Sequence, residues 1–239
     1  MKKHKKLIIT FGSIILSILI IILTFGIYFG NYYHGVLVDD YLVSNENVMV
    51  DENDYLSFIP KDEIKGGIIL YPGAKVEYSA YSELMYKLAL EGYASFIVEM
   101  PLNFAIFGIN KADEIIEDYQ SINNWYLMGH SLGGAMVSSY ANKHIDDIEG
   151  VILLAAYSTS DLSETKVLSI YGSNDSVLSK DKYEENKINL CSNYVESIID
   201  GGNHANFGSY GVQSGDGEAT IEQDLQIDLT IQSILDFIS

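Results

Sequence analysis

The chain has 239 residues, a formal net charge of −19 and a sequence pI near 4.4, with fourteen lysines and no arginine. That balance argues against nucleic acid as a partner, and the missing guanidinium fork makes phosphate or carboxylate recognition a poor expectation. A single cysteine, Cys191, excludes an internal disulfide scaffold and is expected to be a buried small hydrophobe. The length suits one domain with a sizeable core.

The first element is an uncharged stretch from Leu7 to Phe29, preceded by Lys2, Lys3, His4, Lys5 and Lys6. As a helix it spans about 34 Å, against roughly 30 Å for a hydrocarbon core. The lysines before it, and Asp39 and Asp40 after it, predict a cytoplasmic N-terminus and an external remainder. Tyr28, Tyr32 and Tyr33 stand where interfacial aromatics are expected. A cleaved signal peptide is the competing reading, but the apolar run is long and no small-residue cleavage pattern follows it. The expected layout is a tail over 1–6, an anchor over 7–29, a juxtamembrane tether over 30–47 and one domain over 48–239. All 33 acidic residues and ten lysines follow the anchor, giving that part a charge of −23, which serves solubility.

Beyond the tether, Val48–Val50 and Tyr55–Ile59 read as an antiparallel hairpin. Buried-strand runs then alternate with helical spacing: strands at Gly67–Tyr71, Ala94–Val98, Trp125–Met128, Val151–Ala155, Val167–Tyr171 and Tyr194–Ile199, and helices near 79–90, 111–119, 132–143 and 180–189. A last helix is expected to start with Thr220 and Gln223 in capping-box positions and to bury Ile227, Ile231, Ile234, Leu235 and Ile238. Such alternation predicts an α/β fold, a mostly parallel sheet covered on both faces, with its site at the carboxyl ends of the strands.

The chemistry centres on Gly129-His130-Ser131-Leu132-Gly133, which fits the Gly-x-Ser-x-Gly nucleophile elbow between a strand and a helix. A serine hydroxyl needs a base within hydrogen-bond reach. Of the five histidines, His4 and His34 fall outside the domain, His130 is expected to point away from its neighbour, and His144 ends a helix leading away from the site. His204, after the last strand, remains. The base needs a carboxylate to fix its tautomer. Asp175, just past a buried strand, is preferred over its rivals Asp161 and Asp200, and gives the order Ser, Asp, His that the motif predicts. The oxyanion hole needs two backbone N–H groups, expected from Leu132 and, after Pro72-Gly73, from Ala74.

These residues resemble the alpha/beta hydrolases. More narrowly, the chain is similar to the lidless, membrane-anchored bacterial hydrolases grouped as type five of that fold, related to the dienelactone hydrolases. The likeness runs over about residues 48–238 and is carried by Tyr71-Pro72-Gly73-Ala74-Lys75-Val76, Met100-Pro101-Leu102-Asn103, Gly129–Gly134, Gly202–Gly208 and Tyr210–Gly217. It implies Ser131, Asp175 and His204 as the triad. Ala74 replaces an expected second glycine but keeps its N–H, and a serine in place of the dienelactone hydrolases' cysteine argues against their particular reaction. The segment from Tyr157 to Lys166 is too short for a lid domain. Phe104, Tyr78 and Met100 are candidates for a substrate pocket; packing over the sheet edge is the competing reading for Phe104, and packing in the core for Tyr78 and Met100. The resulting expectation is a serine hydrolase cleaving an ester or other acyl bond of a small or medium substrate, with no metal or cofactor. Acyl transfer to a cell-envelope acceptor and a non-catalytic surface binding protein on the same scaffold are the alternatives.

Overall fold

Along Ile68-Ile69-Leu70-Tyr71, side chains point alternately to the two faces of a sheet, and all four are fully buried. Burial on both faces requires helices on both sides, and the computed structural model of the protein has them. It describes the backbone of residues 2–239, and the side chains of residues 10, 11 and 13–239.

The chain divides into two units, one ending at Tyr32 and the other spanning Tyr33–Ser239. The first is a helix, α1 (Lys2–Gly30), whose stretch Ser13–Gly30 is long and apolar enough to cross a membrane. The side chains of Lys2, Lys3, His4, Lys5 and Lys6 lie outside the described residues.

The second unit is an eight-stranded sheet. Its strands are β1 (Val48–Glu52), β2 (Leu56–Pro60), β3 (Gly66–Tyr71), β4 (Tyr93–Ile97), β5 (Trp125–His130), β6 (Gly150–Leu154), β7 (Lys166–Gly172) and β8 (Val195–Ile199). Their order is β1-β2-β4-β3-β5-β6-β7-β8; β1 and β2 run antiparallel to their neighbours and the rest are parallel. The helices are α2 (Ser82–Leu90), α3 (Ala112–Asp118), α4 (Leu132–Ala141), α5 (Lys180–Asn186) and α6 (Gln223–Ile238). Leu84, Met85 and Leu88 of α2 pack with Ile227, Ile231 and Ile234 of α6 against Ile68 and Leu70. On the other face, Ile115 of α3 and Val137 and Tyr140 of α4 pack against Ile69 and Leu127, and Cys191 is buried in the same layer.

The sheet's winding reverses between β3 and β5, where Tyr71 stands level with Gly129, so the loops leaving both strands emerge side by side. A switch point of this kind is where such sheets bind ligands. Residues 155–165 connect β6 to β7 without an inserted domain, and a bridge joins Leu162 to Leu190.

Two expectations are corrected. The segment read as a tether belongs to the body from Tyr33 onward: Tyr33 N–H donates to Lys75 O (2.7 Å), Glu77 N–H to Tyr33 O (2.8 Å), and Val36 N–H to Ser209 O (2.7 Å). Composition hides such ties because the backbone makes them. The capping box is not formed either. Helix α6 starts at Gln223 after Glu222, with no side-chain cap. Gln223 Nε2 instead donates to Ser209 Oγ (2.6 Å), and Thr220 N–H to Gly201 O (2.8 Å), so both residues secure a loop rather than the helix.

Candidate active site

The elbow is a matter of backbone crowding. Ser131 has φ 51° and ψ −119°, a strained conformation for a non-glycine residue, held by its N–H bond to Leu154 O (2.9 Å). A Cβ on Gly133 would lie 2.1 Å from Tyr71 O, and one on Gly129 would lie 2.5 Å from the Gly133 backbone. Only glycines let β5, β3 and the start of α4 approach this closely. Ser131 therefore sits at the N-terminus of a ten-residue helix, where the aligned peptide dipoles favour negative charge.

The candidate base, His204, arrives from the edge of the sheet. The chain after β8 crosses back over the end of β7, where a Cβ on Gly172 would meet Gly202 O at 2.2 Å. Gln226 of α6, fully buried, clamps this loop: its Oε1 accepts from Asn203 N–H (3.0 Å) and its Nε2 donates to Asn203 O (2.8 Å). His204 Nδ1 then lies 2.9 Å from Asp175 Oδ2, with both side chains buried. The second oxygen of Asp175 accepts the N–H groups of Val177 and Leu178, each at 2.8 Å, an Asx-type turn that fixes the carboxylate. Burial alone would raise the Asp175 pKa. The hydrogen bond and charge of His204, with the two backbone N–H groups, outweigh it and hold the carboxyl below its usual value. Asp175 thus stays an acceptor and Nδ1 donates to it, while His204 Nε2 is buried and has no hydrogen-bond partner among the described residues.

Neither rival acid reaches the base. Asp161 is exposed and accepts from Ser163 N–H (3.0 Å), and Asp200 lies 3.4 Å from Ser173 Oγ.

His204 and Ser131 line one cavity of about 550 Å³. Its apolar wall includes Leu132, Met136, Ala156, Tyr157, Val177 and Leu178, and exposed Thr159, Ser179 and Lys182 stand at its rim. Tyr78, Met100 and Phe104 do not line it. Met100 is buried against Gly108, Tyr78 bonds Glu52 at the end of β1, and the Phe104 ring lies tilted 6.3 Å from that of Phe107. Sequence pointed to the loop after β4, whereas the wall comes from α4 and the loops after β6 and β7. The small and apolar residues there look like ordinary helix and strand content.

In the loop after β3, Gly73 N–H donates to Tyr81 Oη (3.0 Å) and Lys75 N–H to Asn103 O (2.7 Å), while the Ala74 N–H between them has no acceptor among the described residues. The Leu132 N–H, opening α4, is likewise not used by any described residue. Both lie beside the switch point.

His130 makes contacts with which the sequence reading did not reckon: its ring lies 4.6 Å from that of His204, tilted by 49°, and it is 1% exposed. Its Nε2 faces the His204 carbonyl at 3.1 Å and must donate, since a carbonyl only accepts. Nδ1 then accepts from Tyr81 Oη at 2.8 Å, and the same phenol accepts from Gly73 N–H. Burial, helped by neighbouring His204 and opposed by the bond to its carbonyl, holds His130 well below the ordinary histidine value, so it is neutral. Burial also pushes the Tyr81 phenol up, keeping its proton available to His130. The chain Gly73–Tyr81–His130–His204 therefore joins the loop after β3 to the loop carrying the base. Sequence gave the histidine but no sign of its orientation; its place in the elbow was the one available signal.

The comparisons agree with this architecture. No curated protein sequence matches the chain. Solved structures similar to it include a soluble variant of monoglyceride lipase from Saccharomyces cerevisiae (12% identity, covering 82% of this chain and 96% of that one, TM-score 0.60). Est1E from Butyrivibrio proteoclasticus is similar over 81% of this chain and 99% of its own (14% identity, TM-score 0.58). A candidate dienelactone hydrolase from Klebsiella pneumoniae gives the same coverage, 81% and 99%, with 14% identity and a TM-score of 0.58. At these identities the likeness is one of fold. A model of the alpha/beta hydrolase family matches residues 67–228, a span that includes the elbow, Asp175 and His204, and the chain belongs to that family.

Proposed function

We propose that the protein is a serine hydrolase that cleaves a carboxylic ester through an acyl-enzyme intermediate, with Ser131 as nucleophile, His204 as base and Asp175 as the acid that orients it. The observation carrying this reading is the Asp175–His204 bond of 2.9 Å, with Nε2 left unpartnered, on a histidine that lines the same cavity as Ser131. His204 takes the Ser131 proton as Oγ attacks the acyl carbon, and returns it to the leaving alcohol. A water activated by the same imidazole then releases the acid and frees Ser131. The N–H groups of Leu132 and Ala74 stabilise the oxyanion in both steps, aided by the N-terminus of α4. The apolar wall favours an uncharged acyl group of small to medium size.

The apolar stretch Ser13–Gly30 supports a membrane anchor, with the hydrolase on the outer side by the lysine asymmetry. Protease accessibility on intact cells checks this side: a body degraded only after lysis places it inside.

A fluorophosphonate probe on the full chain tests the chemistry. Wild type is expected to label, and Ser131→Ala to stay unlabelled and to lose ester hydrolysis by about 10³-fold or more. No labelling of folded wild type, or equal labelling of Ser131→Ala, sinks the assignment. A nitrophenyl ester series of rising acyl length then measures the pocket.

A further inference from the structure

The glycine-rich segment 208–217 has no part in the chemistry above, yet it ends in the densest set of bonds to the two loops that carry it. Asp216 Oδ2 accepts the N–H of Ala205 at 2.9 Å, the residue directly after His204. Its Oδ1 accepts the N–H of Ser176 at 3.3 Å, the residue directly after Asp175, and also the N–H of Gly217 at 2.8 Å. The next two residues repeat the pattern on the other flank. Asn203 Nδ2, one residue before His204, donates to Gly217 O (2.9 Å), and Asn174 Nδ2, one residue before Asp175, donates to Glu218 O (2.9 Å). The contact is close: a Cβ on Gly217 would lie 1.9 Å from Asn174 O, so only glycine fits.

Resting on the triad proposed above, we infer that Asp216 is a positioning residue that clasps the acid loop to the base loop, setting the separation of Asp175 and His204. The two loops leave neighbouring strands, β7 and β8, and backbone bonds tie them only as far as Ser173 N–H to Ile199 O (2.9 Å) and Asn174 N–H to Gly202 O (2.8 Å), before the acid and the base are reached. Past that point, the Asp216 carboxylate is bonded to the backbone next to both partners, each of its oxygens on a different loop. N–H groups donating to an ionised carboxylate are stronger than bonds between neutral groups, and they act here on backbone, which moves the side chains with it. Beyond the Asn174–Gly202 bond, this pair of oxygens thus sets a donor–acceptor distance that it does not itself enter. The clasp is anchored in turn: Ser214 N–H donates to Tyr33 Oη (3.1 Å), and Tyr210 Oη donates to Gln213 Oε1 (3.0 Å).

The test uses the full chain in detergent, with two readouts. One is ester hydrolysis; the other is the low-field proton resonance of His204 Nδ1–H in its bond to Asp175, which does not need turnover. Asp216→Ala is expected to lower kcat about 10- to 100-fold with KM within about twofold, as misplacement of a catalytic group does. The resonance should broaden or vanish while thermal unfolding stays cooperative. Asp216→Asn keeps one accepting oxygen and should fall between the two; it also decides the matter if the alanine variant does not fold. An unchanged kcat, an unchanged resonance, or a loss confined to KM overturns the clasp. If folded wild type neither labels nor hydrolyses esters, the serine hydrolase reading fails, and the resonance comparison alone still decides whether Asp216 holds the pair.

Discussion

The proposed nucleophile and the proposed acid–base pair are built on opposite principles. Ser131 is held by contacts among residues that are local or on adjacent strands, with glycine at 129 and 133 because backbone occupies the space a Cβ needs. Asp175 and His204 sit 29 residues apart on separate loops and meet through hydrogen bonds from Gln226, Asn203 and the 216–218 segment. The first arrangement is steric and tolerates no substitution. The second is distributed and should degrade by steps.

Gly133→Ala probes the steric half and should have the largest effect. Its Cβ would lie 2.1 Å from Tyr71 O, and a backbone atom of a central strand cannot rotate away. The expected loss is about 3 kcal/mol in urea unfolding, the upper range for overpacking, with fluorophosphonate labelling slowed about 10³-fold. A variant with near wild-type stability and labelling would show that the elbow relaxes and that the contrast is misdrawn.

Removal of the N-terminal segment probes the distributed half at its most remote point. A chain of residues 33–239 keeps Tyr33 and Val36 on Lys75, Ser209 and Ser214, and should hydrolyse esters at close to the full-length rate. A chain of residues 48–239, cut where sequence alone draws the domain boundary, loses those bonds and should fall about 100-fold in kcat. Equal activity of the two chains would make residues 33–47 a tether after all.

What the sequence made legible follows the same divide. The strand-elbow-helix unit declares itself because its demands fall on five consecutive residues, Gly129 to Gly133. The choice of His204 and Asp175 came from position after strands, which the sheet's parallel winding places on one edge. The role of the 208–217 segment was illegible, since its partners Asn174, Ser176, Asn203 and Ala205 are scattered and each bond joins a side chain on one side to backbone on the other. The pocket wall was illegible for another reason: Met136, Tyr157 and Val177 differ in no compositional way from core residues, and only the fold turns them toward Ser131. The contacts of His130 were illegible because the elbow motif fixes where the backbone goes and leaves the ring's partners to packing with Tyr81 and His204.

Tyr81→Phe tests the bridge between the two halves. It removes the acceptor of Gly73 N–H and the donor to His130 Nδ1 while keeping the ring. With the loop after β3 loosened beside Ala74, kcat should fall about tenfold with KM little changed, less than full loss of an oxyanion donor. In a double-mutant cycle, Tyr81→Phe with His130→Gln should be clearly non-additive, since both act on one hydrogen-bond chain. Additive losses would separate them.

The smallest effect concerns acidity. His130 is neutral in the fold because burial and His204 hold its pKa well below the ordinary histidine value of about 6.5, whereas in the unfolded chain it takes up a proton near that value. Below pH 6.5 the unfolded state therefore binds more protons than the folded one, and stability is lost as pH falls from there toward the folded pKa. The slope from this one group cannot exceed about 1.4 kcal/mol per pH unit. Asp175, held below its usual carboxylate value, contributes in a separate window, its stabilisation being lost only as pH falls through its depressed pKa. Urea unfolding of wild type and His130→Gln at pH 7.5, 6.5 and 5.5 separates them, the three values being chosen to bracket about 6.5. Wild type should weaken between the last two while the variant, whose amide still donates to His204 O and accepts from Tyr81, should not. Parallel curves would mean that His130 is protonated in the fold, and the Nε2–H, Nδ1-acceptor assignment that joins the two halves would have to be abandoned.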